Sequence, residues 1–80
     1  MESFYEIFKK NKSFQEHVIT TVDSNKTFFI IFQIDGREYH YKRDKIPLGF
    51  LEAVYEKFPD GTLNLLEDFE VKKLYNFFKN

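Results

Sequence analysis

The stretch Thr27-Phe28-Phe29-Ile30-Ile31-Phe32-Gln33-Ile34-Asp35-Gly36-Arg37-Glu38-Tyr39-His40-Tyr41-Lys42 decides the fold. Apart from Gln33, its first eight residues are β-branched or aromatic, side chains that suit a pleated surface. Asp35-Gly36 is a pair that tolerates positive φ at both positions, as a two-residue type I′ turn requires. Arg37 to Lys42 then returns with polar and aromatic residues in alternation, the period of a strand. The result is a β-hairpin whose register can be written from the turn outward. Ile34 faces Arg37, Phe32 faces Tyr39 and Ile30 faces Tyr41. One sheet face then carries Phe28, Ile30, Phe32, Ile34, Tyr39 and Tyr41. The other carries Phe29, Ile31, Gln33, Glu38 and His40. A strand that is apolar both ways along its first half is expected at the centre of its sheet, with helices on both faces. A bare face would be a sticky patch and a partner surface.

On the N-terminal side, His17-Val18-Ile19-Thr20-Thr21-Val22 is mostly β-branched, and a strand is expected over about 15–22. Asp23-Ser24-Asn25-Lys26 is turn chemistry. Before it, Ser3 and Glu6 fit a capping box, and Phe4, Ile7 and Phe8 share a helical face, so a first helix is expected over about 3–11. Asn11 and Ser13 are its stop signals. On the C-terminal side, Pro47 is tolerated in a first helical turn. Phe50, Leu51, Val54 and Phe58 form an i, i+1, i+4, i+8 stripe, and Pro59-Asp60-Gly61 would stop that second helix. Asn64 with Glu67, or Asp68, can cap a last helix bearing Val71, Leu74, Tyr75 and Phe78. The expected fold is α+β, in the order α-β-β-β-α-α. A three-stranded antiparallel meander is packed by short helices, in one small domain over 1–80. Phe28, Ile30, Ile31, Phe32, Leu51, Val54 and Leu74 are expected to be mostly buried.

Composition narrows the function classes. The 80 residues carry 12 Lys+Arg against 13 Asp+Glu, so the chain is no polycation and bulk attraction to phosphate is absent. There is no cysteine, which excludes a disulfide framework and a thiolate zinc site. The 11 Phe and 5 Tyr supply the core that such a short chain needs without staples. No apolar run is long enough to span a membrane. Met1-Glu2-Ser3 has neither a basic n-region nor an apolar h-region, so a cytoplasmic location is expected. Asn25-Lys26-Thr27 matches a glycosylation sequon and, with no secretory signal, reads as turn chemistry.

Signals for catalysis are poor. Gly36, Gly49 and Gly61 are scattered, so no phosphate-cradling loop forms. His17 and His40 lie on different strands and are too few for a metal site without cysteine. Ser3, Ser13 and Ser24 look like cap and turn residues, and no nucleophile–base pair is visible. The expectation is a protein that is not an enzyme and needs no cofactor or metal. The aromatic residues could stack on bases, but most fall on core stripes. An α-β-β-β-α order also suits a double-stranded-RNA-binding domain, which needs a basic helix start where this second helix is acidic.

Charge is unevenly placed. Residues 46–70 carry Glu52, Glu56, Asp60, Glu67, Asp68 and Glu70 against Lys57 alone, whereas residues 71–80 carry Lys72, Lys73 and Lys79. Helix dipoles account for part of this. The rest would be an acidic surface that meets a basic groove on a partner.

The order of motifs resembles the small type II-A anti-CRISPR inhibitors of Listeria prophages. The similarity rests on Lys10-Asn11-Lys12, Asp23-Ser24-Asn25, Ile30-Ile31 and Asp35-Gly36-Arg37-Glu38-Tyr39. Phe58, Gly61, Glu67-Asp68 and Tyr75-Asn76 continue it. The resemblance implies a non-enzymatic phage or prophage protein that binds a host CRISPR or other defence nuclease, possession of the fold above, and an acidic surface imitating DNA. The partner-binding residues it implies are Asp35, Gly36 and Glu38 on the hairpin and Glu67, Asp68 and Glu70 near the last helix. Arg37 in the hairpin, and Phe69 and Val71 within the acidic run, depart from the family pattern. The alternative is a small intracellular protein–protein interaction module that uses an apolar sheet face. In both readings the partner is a protein, with no direct nucleic acid and no membrane, and the chain is a monomer or a small homo-oligomer.

Overall fold

A computed structural model describes residues 4–79 of the chain. The elements run α1 (Phe4–Lys10), α2 (Lys12–Glu16), β1 (Val18–Asp23), β2 (Thr27–Ile34), β3 (Arg37–Ile46), β4 (Gly49–Lys57), β5 (Leu63–Leu65) and α3 (Asp68–Lys79). The strands form one antiparallel meander in the order β1-β2-β3-β4-β5. The fold is α+β, but its sheet has five strands where three were expected.

The hairpin has the register read from the sequence: Ile34 opposite Arg37, Phe32 opposite Tyr39, Ile30 opposite Tyr41. Asp35 and Gly36 both have positive φ, 51° and 80°, as the turn type demands. The largest correction concerns residues 47–58. They are not a helix. Pro47 and Leu48 make a two-residue turn between Ile46 and Gly49, and β4 then pairs with β3 along its whole length. Apolar residues at 50, 51, 54 and 58 suit a helix locally. A ten-residue β3 offers a long edge, and pairing β4 along it satisfies the backbone of both strands and places Val54 in the core. With β4 added, β3 becomes the middle strand and β2 an inner neighbour. β5 extends the sheet by three residues opposite Tyr55 to Lys57.

The N-terminal helix also divides. Asn11 ends α1 and caps α2, its side-chain oxygen accepting from the Phe14 N–H at 3.1 Å. Its amide donates to the Phe78 carbonyl at 2.7 Å, tying α2 to the end of α3. The strand after α2 therefore starts at Val18, three residues later than expected. A bulge between Val18 and Thr20 interrupts its register. The capping box assigned to Ser3 lies outside the described residues.

The helices pack on one face of the sheet and not on both. Phe28, Ile30, Phe32, Ile34, Tyr39, Tyr41 and Val54 meet Ile7, Phe14, Leu66 and Phe78 in a single core. The Phe14 ring stands edge-on to Phe32 at 5.1 Å and to Phe78 at 4.5 Å, and Phe32 stacks on Tyr39 at 5.4 Å. Four of the seven residues expected to be buried are so: Phe28, Ile30, Phe32 and Val54. Ile31 and Leu74 are half-buried, and Leu51 is 61% exposed. Ile31 and Leu51 point to the face that carries no helix.

Candidate functional site

The six residues expected to bind a partner divide between the two sides of the sheet. Asp35 and Gly36 form the tip of the β2–β3 hairpin. Glu67 precedes α3 and its N–H donates to the Glu70 carboxylate at 3.2 Å, so Glu70 is engaged in capping. Asp68 is the first residue of α3 and is exposed. The start of α3 lies over Arg37 and Tyr39, and Glu70 lines a shallow pocket of about 230 Å³ with Arg37, Tyr39, Glu56, Phe69 and Lys73. Burial raises the Tyr39 hydroxyl pKa. The carboxylates of Glu56, Glu70 and Asp35 add to that rise, against Arg37. Glu70 is thus on the helix side, beside Tyr39.

Glu38 is on the other side. Its carboxylate meets the His40 ring at 2.6 Å and Lys57 at 3.8 Å. The His40 hydrogen bond, helped by the Lys57 charge, holds the Glu38 carboxyl below the usual range. Glu38 and Glu70 therefore lie on opposite sides of the sheet.

Two side chains that the sequence reading passed over complete the hairpin end. Arg37 makes a bidentate pair with Glu56, through Nε at 2.9 Å and Nη2 at 2.7 Å. Glu56 is the one buried charged residue among those described, only 6% exposed. Nothing local in the sequence marks it. The signal lies in register: once β4 pairs with β3, Glu56 is opposite Tyr39 and diagonal to Arg37. Farther along the same face, the Tyr41 hydroxyl donates to the Glu52 carboxylate. Burial, then that bond, raises its pKa well above the ordinary tyrosine value.

The face without helices is the other candidate. Cross-strand neighbours place Thr20, Ile31, His40, Tyr55 and Leu65 in one row across all five strands. Val22, Phe29, Lys42 and Ala53 form the next row, with the Phe29 and His40 rings edge-on at 5.6 Å. Val22, Leu51, Leu63 and Leu65 are half or more exposed. The charges here are matched within the face: Glu38 with His40 and Lys57, Lys42 with Asp44 at 3.6 Å. The arrangement is an apolar middle inside a charge-neutral border, the anatomy of a protein–protein interface.

The histidines do not meet. His17 packs against Phe77 and Phe78 of α3, and His40 lies on the bare face. Among the described residues no three His, Asp or Glu side chains form a metal-holding group, and no helix is long and apolar enough to cross a membrane. Compared with protein families, curated proteins and solved structures, the chain matches none.

Proposed function

We propose that this chain is a non-catalytic binding protein that covers an apolar surface of a protein partner with the bare face of its sheet. One observation carries this reading. All three helices pack on one side of a five-stranded sheet, while the other side leaves Val22, Leu51, Leu63 and Leu65 exposed around Phe29, Ile31 and Tyr55. Exposed apolar area of this extent on one face is a recognition surface by default. Because the charges on it are already paired with one another, binding would depend little on salt.

A second reading keeps the partner that the family resemblance implies, a CRISPR or other defence nuclease met by acidic residues. It is favoured by Glu70 beside Tyr39 at the start of α3, with Asp68 exposed in the same first turn. Arg37 and Lys73 lie in the same pocket and offset part of that charge.

One set of measurements separates the two. Immobilised chain is exposed to extract at 0.1 and 1 M salt and to a purified type II RNA-guided endonuclease, and self-association is followed by light scattering. Tyr55→Lys with Leu65→Lys is compared with Asp35→Asn with Asp68→Asn. A partner, or a second copy, held at both salt levels and lost only with the sheet variant supports the first reading. Endonuclease binding and plasmid protection that vanish at high salt and with the acid variant support the second. A wild-type chain that binds neither way refutes both.

A further inference from the structure

The end of the sheet opposite the Asp35-Gly36 hairpin holds a pocket of about 260 Å³ between the β1–β2 turn, α1 and the start of β4. Arg43 lines it. Its guanidinium lies 3.8 Å from the centroid of Phe50 and 4.6 Å from that of Tyr5, held between two aromatic rings. Such a sandwich fixes the plane of the fork and leaves its N–H edge for a ligand. Nε is buried and has no hydrogen-bond partner among the described residues. Lys26 and Lys45, both exposed, line the same pocket, and the Lys45 N–H bonded to the Lys26 carbonyl at 2.8 Å holds the two together.

Asp23 also lines the pocket, so its lining carries three cations against one carboxylate. Two further acids nearby are engaged elsewhere. Asp44 pairs with Lys42 and accepts from the Thr27 hydroxyl at 2.9 Å. Glu52, opposite Arg43 in the β3–β4 register, accepts from Tyr41. Arg43, Lys26 and Lys45 thus line one concavity in which Asp23 is the one acidic lining residue, a net excess of two positive charges.

We propose that this pocket binds a phosphomonoester dianion, with the Arg43 fork as the directional donor and Lys26 and Lys45 as flanking charges. Three cations in one concavity suit two negative charges better than one, and a guanidinium held in plane matches two phosphate oxygens at once. The pocket is larger than a phosphate group, so the ester's substituent has room against Phe50 and the Ser24-Asn25 turn. The site is at the far end of the molecule from the acidic residues and does not depend on the bare sheet face.

The test is a titration of the full chain followed by amide and Arg Nε–Hε chemical shifts at constant ionic strength. Inorganic phosphate and phenyl phosphate are the probes, with dimethyl phosphate and chloride as comparisons. Saturable shifts are expected at Lys26, Thr27, Arg43 and Lys45, with phenyl phosphate binding more tightly than dimethyl phosphate. Arg43→Gln should weaken phenyl phosphate at least tenfold. Because Arg43 also packs between two rings, Lys26→Gln with Lys45→Gln provides a second variant that touches no core residue, and it should weaken binding severalfold with the spectrum otherwise unchanged. Equal shifts with chloride, equal binding of the diester, or undiminished binding by the lysine variant would overturn the proposal.

Discussion

The covered and the bare face of the sheet are built from alternate residues of the same strands, yet they are completed differently. On the covered side, Phe32 is 0% exposed and touches rings from α2, β3 and α3. One residue earlier, Ile31 points the other way and has only strand neighbours beside it: Thr20 and His40. The difference shows that β2 is apolar on both sides for two reasons. One set of side chains holds the helices. The other set lies on the side that carries no helix, and on the function proposed above its apolar character serves a docked protein.

That contrast can be broken by comparing neighbours. Phe32→Ala should cost about 3–5 kcal/mol, from lost transfer energy and an unfilled cavity. A domain of this size holds about 5–10 kcal/mol in all, so urea denaturation should find the variant near unfolding. Ile31→Ala, on the bare side, should cost about 1 kcal/mol. Equal losses would mean that the bare face is core after all.

The next effect tests the hairpin end of the covered face. Arg37→Ala leaves the Glu56 carboxylate buried without its bidentate donor, and should cost about 2 kcal/mol. Arg37→Lys should recover only part of this, because a single ammonium cannot replace the fork. A thermal melt of the two variants checks both statements. If Arg37→Ala is neutral, water reaches Glu56 and the covered face is open at that end.

Smaller still is the effect expected for Leu65→Lys. Leu65 is 59% exposed on the bare face, and the folding free energy should change by no more than about 0.5 kcal/mol. A cooperative loss of stability on that substitution would contradict a face reserved for binding.

The smallest effect is a titration. The folded pKa of Glu38 is depressed, so its contribution to stability is present above the unfolded carboxyl value and is lost as pH falls through the lowered one. A carboxyl chemical-shift titration should therefore place the Glu38 midpoint below the ordinary glutamate range. His40→Ala should move it back upward. An unchanged midpoint in that variant would remove His40 as the cause.

How much of this was legible in the sequence depended on whether local or distant contacts made the decision. The Asp35-Gly36 turn and the alternation around it determine the hairpin and its two faces, because a two-residue loop leaves one register. Residues 49–57 were not legible. Phe50, Leu51, Val54 and Phe58 satisfy a helical stripe, and only the unpaired edge of β3 selects a strand. With that segment misread, Lys57 opposite Glu38 and Glu56 beside Arg37 were out of reach. β5, with three residues, is too short to show a period. The opposite orientation of Glu38, by contrast, follows from the hairpin register alone.

The meander has a consequence for how the chain is made. Each strand pairs with the one before it in sequence, so the sheet can grow strand by strand as the polypeptide leaves the ribosome, with little loop entropy lost at each step. The first two helices are already available to shelter Phe28 by then, through Tyr5 and Phe8. The last step is different. Phe78, which closes over Phe14 and Phe32, arrives with the final turn of α3. Until it does, both sides of the nascent sheet present apolar residues to water. A chain that stalls or is cut before residue 78 would therefore be a substrate for holding chaperones and proteases, although all five strands have been synthesised.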